Sequence, residues 1–158
     1  MVRSISATIL CLYSLTLAQR CAADEEHIAF EMVAIQATNE GRDTPVFGEN
    51  LGDLKKTLSE LPYDTYKHLV TTKVSVAYHE EARIKIDERY TLIVKPMGRE
   101  QDGRITVETR IEAVEADKKK PPVNALKATS MMVPGDHLKL HGLKLETGKL
   151  VLVLTARV

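Results

Sequence analysis

Histidines and carboxylates are the side chains of this sequence best suited to binding a metal ion. His137 and His141 lie on the same side of a predicted strand. At about 3.4 Å per residue they are about 13 Å apart, too far to share one zinc ion. His79 is followed by Glu80 and Glu81, a carboxylate-rich group that could bind a metal but is also typical of a solvated turn. We therefore predict no metal site.

Nucleophiles are not marked by any motif. The sequence has no Gly-x-Ser-x-Gly elbow, and Ser59, Ser75 and Ser130 have no local signature. Asp87 and Glu88 alternate sides at a strand end, so they are not expected to face one substrate. Neither a phosphate-binding glycine loop nor a dinucleotide fingerprint occurs. We predict a protein with no enzymatic activity, no catalytic residues and no cofactor; a hydrolase whose triad assembles only in space remains an alternative.

Three tyrosines are the candidate binding residues. Tyr63, Tyr66 and Tyr78 could anchor a protein partner, because tyrosine is enriched among the residues that dominate interface energies. Tyr66 and Tyr78 are also the first and last residues of a stripe of alternating side chains on one predicted strand. An exposed stripe of this kind would bind a partner, but we favour the interpretation that it is the core-facing side of a long strand.

Residues 1–23 have the composition of a secretory signal peptide. Arg3 supplies a positive charge, residues 5–18 form an uncharged and mostly apolar run, and Ala22 and Ala23 offer a cleavage site. The apolar run is shorter than the roughly 20 residues that a membrane-spanning helix needs, and no later run is long enough. We predict an exported protein, in the periplasm or outside the cell; a buried first helix is the alternative.

Both cysteines of the chain, Cys11 and Cys21, fall within the predicted leader. The predicted mature chain, residues 24–158, is therefore a single domain that must bury a sufficient core without disulfides. Lipidation of Cys21 is an alternative, although Arg20 stands where a lipidation motif has a small residue.

The charge balance does not predict a nucleic-acid partner. The chain has 22 basic and 22 acidic residues, and loss of Arg3 and Arg20 with the leader moves the balance to −2. A nucleic-acid surface would concentrate Lys and Arg on one face. The only basic run, Lys118–Lys120, precedes two prolines and is typical of a solvated loop.

Most of the mature sequence alternates with a period of two, which predicts half-buried antiparallel strands. The pattern indicates about eight strands, which form a mainly β fold, an antiparallel β-sandwich. The predicted strands include Ile28–Thr38, Tyr66–Tyr78, Ile84–Ile86, Tyr90–Met97, Gly103–Glu115, Val123–Val133, Asp136–His141 and Leu150–Val158.

Short polar turns separate most of these strands, which predicts hairpins and meanders. The turns are His79–Glu81, Asp87–Arg89, Gln101–Gly103, Pro134–Asp136 and Glu146–Gly148.

One segment has the spacing of a helix instead. Its apolar residues are Leu51, Leu54, Leu58 and Leu61. Steps of three and four residues place them on one helical face, which we expect to cover an end or an open face of the sheets. Asn50 is the predicted cap, Asp53 its weak capping-box partner, and Pro62 ends the helix.

The last strand is apolar on both faces. In Leu150–Val158 the leucines fall on one face and the valines on the other, which is typical of a central strand. We therefore expect that a chain ending at Leu152 does not fold.

The sequence also resembles two groups of bacterial proteins. Ala34–Gly41, the leucine-rich segment, Pro62–Tyr66 and the glycine-marked turns of Pro134–Leu150 are similar to small exported β-domains of unknown function. Residues 133–158, about a sixth of the chain, are similar to the closing hairpin of secretins, the outer-membrane channels of secretion systems. The long amphipathic hairpins of a membrane channel are missing, so a pore is not implied. Neither resemblance transfers a functional residue.

Together these features predict an exported, non-enzymatic binding or structural module of the bacterial cell envelope. It would act through protein–protein contacts, on an exposed sheet edge or face, as an accessory component of an envelope or secretion complex. The alternative is a small-ligand or glycan-binding β-domain, although glycan sites usually need exposed aromatic platforms and this chain has few aromatic residues.

Overall fold

The computed structural model of the chain describes residues 26–115 and 119–158. The predicted signal peptide at residues 1–23 and Lys118 of the basic run lie outside the described residues. Within them the predicted β-sandwich is confirmed: two mainly antiparallel sheets face each other. The strands are β1 (His27–Thr38), β2 (Val46–Phe47), β3 (Thr65–Ala77), β4 (Ala82–Lys85), β5 (Tyr90–Arg99), β6 (Ile105–Ala113), β7 (Val123–Met132), β8 (His137–Lys144) and β9 (Lys149–Arg157).

The first sheet has the order β2-β3-β1-β9-β8, and the second has the order β4-β5-β6-β7. Every neighbouring pair is antiparallel except β2 and β3. All eight predicted strands are present. The additional strand, β2, has two residues, too few to show an alternating pattern.

The short turns of this fold make two kinds of connection, within one sheet and between the two sheets. The turns at residues 87–89, 101–103 and 146–148 join strands that are neighbours in one sheet, as predicted. The turns at 79–81 and 134–136 instead carry the chain from one sheet to the other, which corrects the prediction of hairpins there. Stacked sheets lie about 10 Å apart, and about three extended residues can cross that gap.

The inter-sheet core is built from alternating residues on the inner faces of the strands. On the first sheet these include Phe30 and Met32 of β1 and Leu152 and Leu154 of β9, all at most 1% exposed. On the second sheet Leu92 is a buried counterpart. The central position predicted for the last strand is confirmed, because β9 pairs with β1 on one side and β8 on the other.

The outer face of β1 and β9 is covered by the leucine-rich segment. A 3₁₀ turn at Gly52–Leu54 leads into a four-residue helix, α1, at Lys55–Leu58. The predicted leucines pack there against β1 and β9, which confirms the helical face. They are Leu51, Leu54 and Leu58, with Leu61 at the margin.

The predicted cap of this segment is wrong. Asn50 has φ +63, and the 3₁₀ turn begins after Leu51 with no side-chain cap hydrogen bond. Asn50 therefore serves the reversal of the chain that precedes the helical segment, since asparagine tolerates the left-handed conformation better than most residues.

A β-bulge divides the stripe that begins at Tyr66. The register between β1 and β3 shifts at Leu69, which has no partner on β1. One extra residue reverses the alternation of side chains. From Val70 to Tyr78 the stripe faces the inter-sheet core as interpreted, whereas Tyr66 packs on the outer face of the sheet, under the leucine-rich segment.

The loop after β1 is held by the carboxylate of Asp64. The backbone N–H groups of Glu40 and Arg42 each donate to it at 2.8 Å, and the hydroxyl of Thr65 donates at 2.9 Å. These donors, the backbone N–H groups first, lower the pKa of Asp64 from 3.8 to about 2.

Because the folded pKa of Asp64 lies below its unfolded value, its contribution to stability is present above about pH 4 and is lost as the pH falls towards 2. We predict that Asp64→Asn reduces the dependence of the free energy of unfolding on pH within that window. Urea titrations at several pH values measure this. Asp43→Asn, a change at an exposed carboxylate of the same loop, is the control, and an equal reduction by both variants would contradict the prediction.

A second prediction concerns the last strand. A chain that ends at Leu152 loses Val153 and Leu154, both fully buried, and each such side chain contributes about 1.5–3 kcal/mol. Domains have a total stability of only about 5–15 kcal/mol. We expect this chain to show no cooperative thermal transition by circular dichroism, whereas a chain that ends at Ala156, which lacks only exposed residues, keeps one. Equal melting curves would show that the pairing of β9 is dispensable.

Candidate functional site

Tyr66 is buried at the centre of the outer cluster of the first sheet. Its side chain is 1% exposed, and its hydroxyl donates to the carbonyl oxygen of Leu58 at 2.7 Å. Its ring stacks on that of Phe47, with 5.2 Å between the ring centroids, and meets the ring of Tyr63 edge-on, with 6.4 Å between the centroids. Burial raises the pKa of this hydroxyl, which therefore stays protonated as a donor at neutral pH. Tyr66 thus holds α1 against the sheet.

The other two candidate tyrosines do not join Tyr66 in one site. Tyr63 is half-buried beside it, whereas Tyr78 lies at the far end of β3, about 40 Å away along an extended strand. Burial raises the pKa of Tyr78, and nearby Glu26 raises it further. The structure therefore places the three tyrosines in two separate regions.

Metal-binding chemistry is not assembled within the described ranges 26–115 and 119–158. No group of three or more His, Cys, Asp and Glu side chains that could hold a metal ion is found there. His137 Nδ1 lies 2.7 Å from the hydroxyl oxygen of Thr155, and Glu81 forms an ion pair with Arg110 at 3.4 Å.

The outer face of the second sheet carries several ion pairs. Arg83, Arg110 and Lys127 lie in one row across the strands. Arg83 forms an ion pair with Glu112, and Lys127 forms one with Glu108 at 3.4 Å. Exposed pairs of this kind contribute little to stability, but here they leave a hydrated face on which Arg83, Arg110 and Lys127 already have acidic partners.

Open strand edges are the remaining sites at which this fold could bind another chain. Among the described residues, β4, β7 and β8 each have a neighbour on one side only, and β3 has only the short β2 on its outer side. Unpaired edges pair readily with other chains unless they are short, bulged or charged.

Three of these edges carry such protection. β4 has four residues. The edge of β3 carries Lys67 and Lys73 and is bulged at Leu69. β8 carries histidines and lysines along its length and is bulged at Gly142.

The edge of β7 differs from the other three. β7 has ten residues and only one charged side chain, Lys127, which is paired with Glu108 of its own sheet. Met131 on this strand is 58% exposed, Val123 at its start is 49% exposed, and Val133, which directly follows it, is 48% exposed.

A bulge lies near the start of β7, at Ala125, where the register with β6 shifts. From Leu126 to Met132 the pairing is regular. The regular, weakly charged edge of residues 126–132 is hereafter called the β7 edge.

The hydrogen bonds of β6 determine which backbone groups of the β7 edge are free. Val114 N–H donates to Arg89, and the carbonyl of Arg104 accepts from Glu100, both at 2.8 Å. Even-numbered residues of β6 therefore bond to β5, and odd-numbered ones bond to β7, because backbone groups alternate sides along a strand. By the β6–β7 register, the even-numbered residues of the β7 edge bond to β6. The N–H and C=O groups of residues 127, 129 and 131 consequently point away from the sheet.

A cleft at one end of the sandwich is the second candidate site. It has a volume of about 570 Å³, with Leu69, Val70, Ile86 and Leu145 among the apolar residues that line it. Its polar groups are partly engaged in holding the surrounding turns. The hydroxyl of Tyr90 donates to the carbonyl of Lys144 at 2.8 Å, and the Gln36 amide donates to that of Thr147 at 2.6 Å.

Comparison with known proteins adds no relative: no family model, no curated protein and no solved structure matches the chain. The two resemblances noted in the sequence therefore stay predictions. Within the described residues, no helix has the length and apolar character needed to cross a membrane.

Sequence reasoning anticipated an exposed edge but did not identify β7. The available signal was the low charge of Val123–Val133, which has one lysine and is bounded by Pro122 and Pro134. Alternation alone could not show that this strand lies at an edge, since an edge is defined by its neighbours.

We predict that Tyr66→Phe lowers the free energy of unfolding by about 0.5–1.5 kcal/mol, because the carbonyl of Leu58 loses one of its two donors and keeps only the N–H of Leu61 at 3.0 Å, while the ring stays in place. Tyr63→Phe, a matched change at a half-buried ring, is expected to cost less than about 0.5 kcal/mol. Urea denaturation measures both values. Equal costs would contradict the role of Tyr66 in holding α1.

Proposed function

We propose that this chain is an exported, non-enzymatic module of the bacterial cell envelope that binds a protein partner by adding the partner's strand to the β7 edge. It would serve as an accessory component of an envelope or secretion complex. The observation that carries the proposal is the β7 edge itself, a regular edge of low charge in a fold whose other open edges are short, bulged or charged. Export is supported by the predicted leader at residues 1–23.

Strand addition suits this edge for two reasons. The outward backbone groups of residues 127, 129 and 131 supply the hydrogen bonds that give affinity in this mode of recognition. Met131 and Val133 supply apolar contacts that a partner strand would cover. Lys127 does not repel a partner strongly, because Glu108 already lies 3.4 Å from its ammonium group.

Small-ligand or glycan binding in the cleft is the second candidate function, supported by its concave shape and by the apolar and charged side chains that line it together. The β7 edge is favoured because Tyr90 and Gln36 already use polar atoms to hold the turns around the cleft.

The proposal predicts that Thr129→Pro abolishes partner binding without unfolding the domain. Proline removes the N–H of residue 129, which points outward, and edge strands tolerate proline at such positions. The measurement is in-cell crosslinking of a tagged copy, followed by envelope fractionation and mass spectrometry of the partners. A partner protein crosslinked to the parent chain should be lost from Thr129→Pro and kept by Thr129→Val, which retains the N–H group.

His141→Pro is the matched control on the other sheet. The N–H of Leu145 bonds to Gly148, and the register of β8 with β9 then turns the backbone of His141 outward as well. This variant should keep the partner. Loss of the partner from both proline variants, or recovery of the free chain alone from the parent, would contradict the proposal, and the second result would turn attention to the cleft.

A further inference from the structure

We infer that the strand added to the β7 edge comes from a second copy of this chain, antiparallel to the first, about a twofold axis at Thr129. This inference rests on the proposed function, since it names the occupant of the same edge. It follows from the symmetry of the edge, from the pairs of side chains that the symmetry creates, and from the placement of charge.

The β7 edge is symmetric about Thr129. The regular pairing with β6 runs from residue 126 to residue 132, and Thr129 is its midpoint. The bulge at Ala125 ends the regular strand on one side, and Pro134 follows it closely on the other. A twofold axis at any other residue would bring the bulge or the proline of one copy further into the ladder of the other.

The outward N–H and C=O groups of residues 127, 129 and 131 are also centred on Thr129. A twofold axis at Thr129 pairs this residue with itself and pairs Lys127 with Met131. These are the positions whose N–H and C=O groups point outward, so all of them find partners, in about six hydrogen bonds. The two four-stranded sheets then become one continuous sheet across the axis.

The side chains brought together by this register are compatible. On the outer face, Thr129 lies beside Thr129 of the second copy, a favourable cross-strand pair. The exposed Met131 lies beside the aliphatic part of Lys127. On the inner face, Leu126 lies opposite Met132, and both already belong to the inter-sheet core. The contact therefore extends the core of each copy.

Charge favours this edge over β8 for self-association. The two copies of Lys127 would be about 13 Å apart along the strands, and each is paired with its own Glu108. The same operation on β8, whose outward backbone groups belong to residues 137, 139 and 141, would place Lys139 opposite itself. Like charges directly opposite each other are destabilising, so of these two edges only the β7 edge is complementary to its own copy.

Such a contact is small. Stable interfaces typically bury about 1,600 Å² in total, and one short ladder of strands buries less. We therefore expect a dimer that dissociates on dilution. Sedimentation velocity of the full chain over a range of concentrations measures this dissociation, and Thr129→Pro should remain a monomer throughout while His141→Pro behaves as the parent.

Cysteine crosslinking tests the register itself. In a full chain in which Cys11→Ser and Cys21→Ser remove the native thiols, Thr129→Cys should form a disulfide-linked dimer. Directly paired residues have Cα atoms about 5.5 Å apart, within the range that a disulfide spans. Lys127→Cys alone should not crosslink, whereas a mixture of Lys127→Cys and Met131→Cys chains should form the mixed dimer.

The outcomes separate this inference from the proposed function. A chain that stays monomeric at every concentration and gives no disulfide at position 129 overturns the inference. If in cells the parent chain crosslinks to a different envelope protein and Thr129→Pro does not, the proposed function stands and that protein is the occupant of the β7 edge. If the chain is monomeric and Thr129→Pro changes no crosslinked partner, both are overturned.

Discussion

The pairing of β1 with β9 is the constraint on which the rest of the structure depends. It joins the first described strand to the last, with Ala29 opposite Arg157, so closing this pair orders nearly the whole described chain. The entropy lost in closing so long a loop must be offset by burial. Both faces of the pair supply it: the inner face packs on the second sheet, and the outer face packs on the leucine-rich segment. β3 and β8 are then positioned as the outer neighbours of this pair.

Bulges determine which face of the sheet the side chains of a strand point to and how regular the edge of that strand is. The extra residue Leu69 lets one strand serve both clusters, since Tyr66 holds α1 on the outer face while Val70 faces the core. The shift at Gly142 makes the edge of β8 irregular. In β7 the bulge at Ala125 lies near the start of the strand and leaves the rest regular. A bulge therefore occurs in each of these three strands, and its position decides which part of the strand stays regular.

Charge has a similar uneven distribution over the second sheet. Its outer face carries arginines and lysines whose partners lie in the same sheet, such as Arg83 with Glu112. Such a face is well hydrated and offers little apolar area to a partner. The edge of the same sheet has the opposite character, because Met131 is exposed and the one lysine is paired. Directional backbone groups and apolar side chains therefore occur together only along the edge.

By itself the sequence determined the elements: the eight longer strands, the helical spacing of the leucines, and a last strand that is apolar on both faces. These features depend on alternation within a few residues, which is local. The tertiary structure decided which strands are neighbours, which turns cross between the sheets, where Tyr66 points, and that β7 lies at an edge. Each of these depends on pairing between distant segments, and one extra residue such as Leu69 reverses the faces of all that follows. The low charge of Val123–Val133 was visible in the sequence. That this segment forms an open edge was not, because the edge position of a strand is defined only by how all the other strands pair.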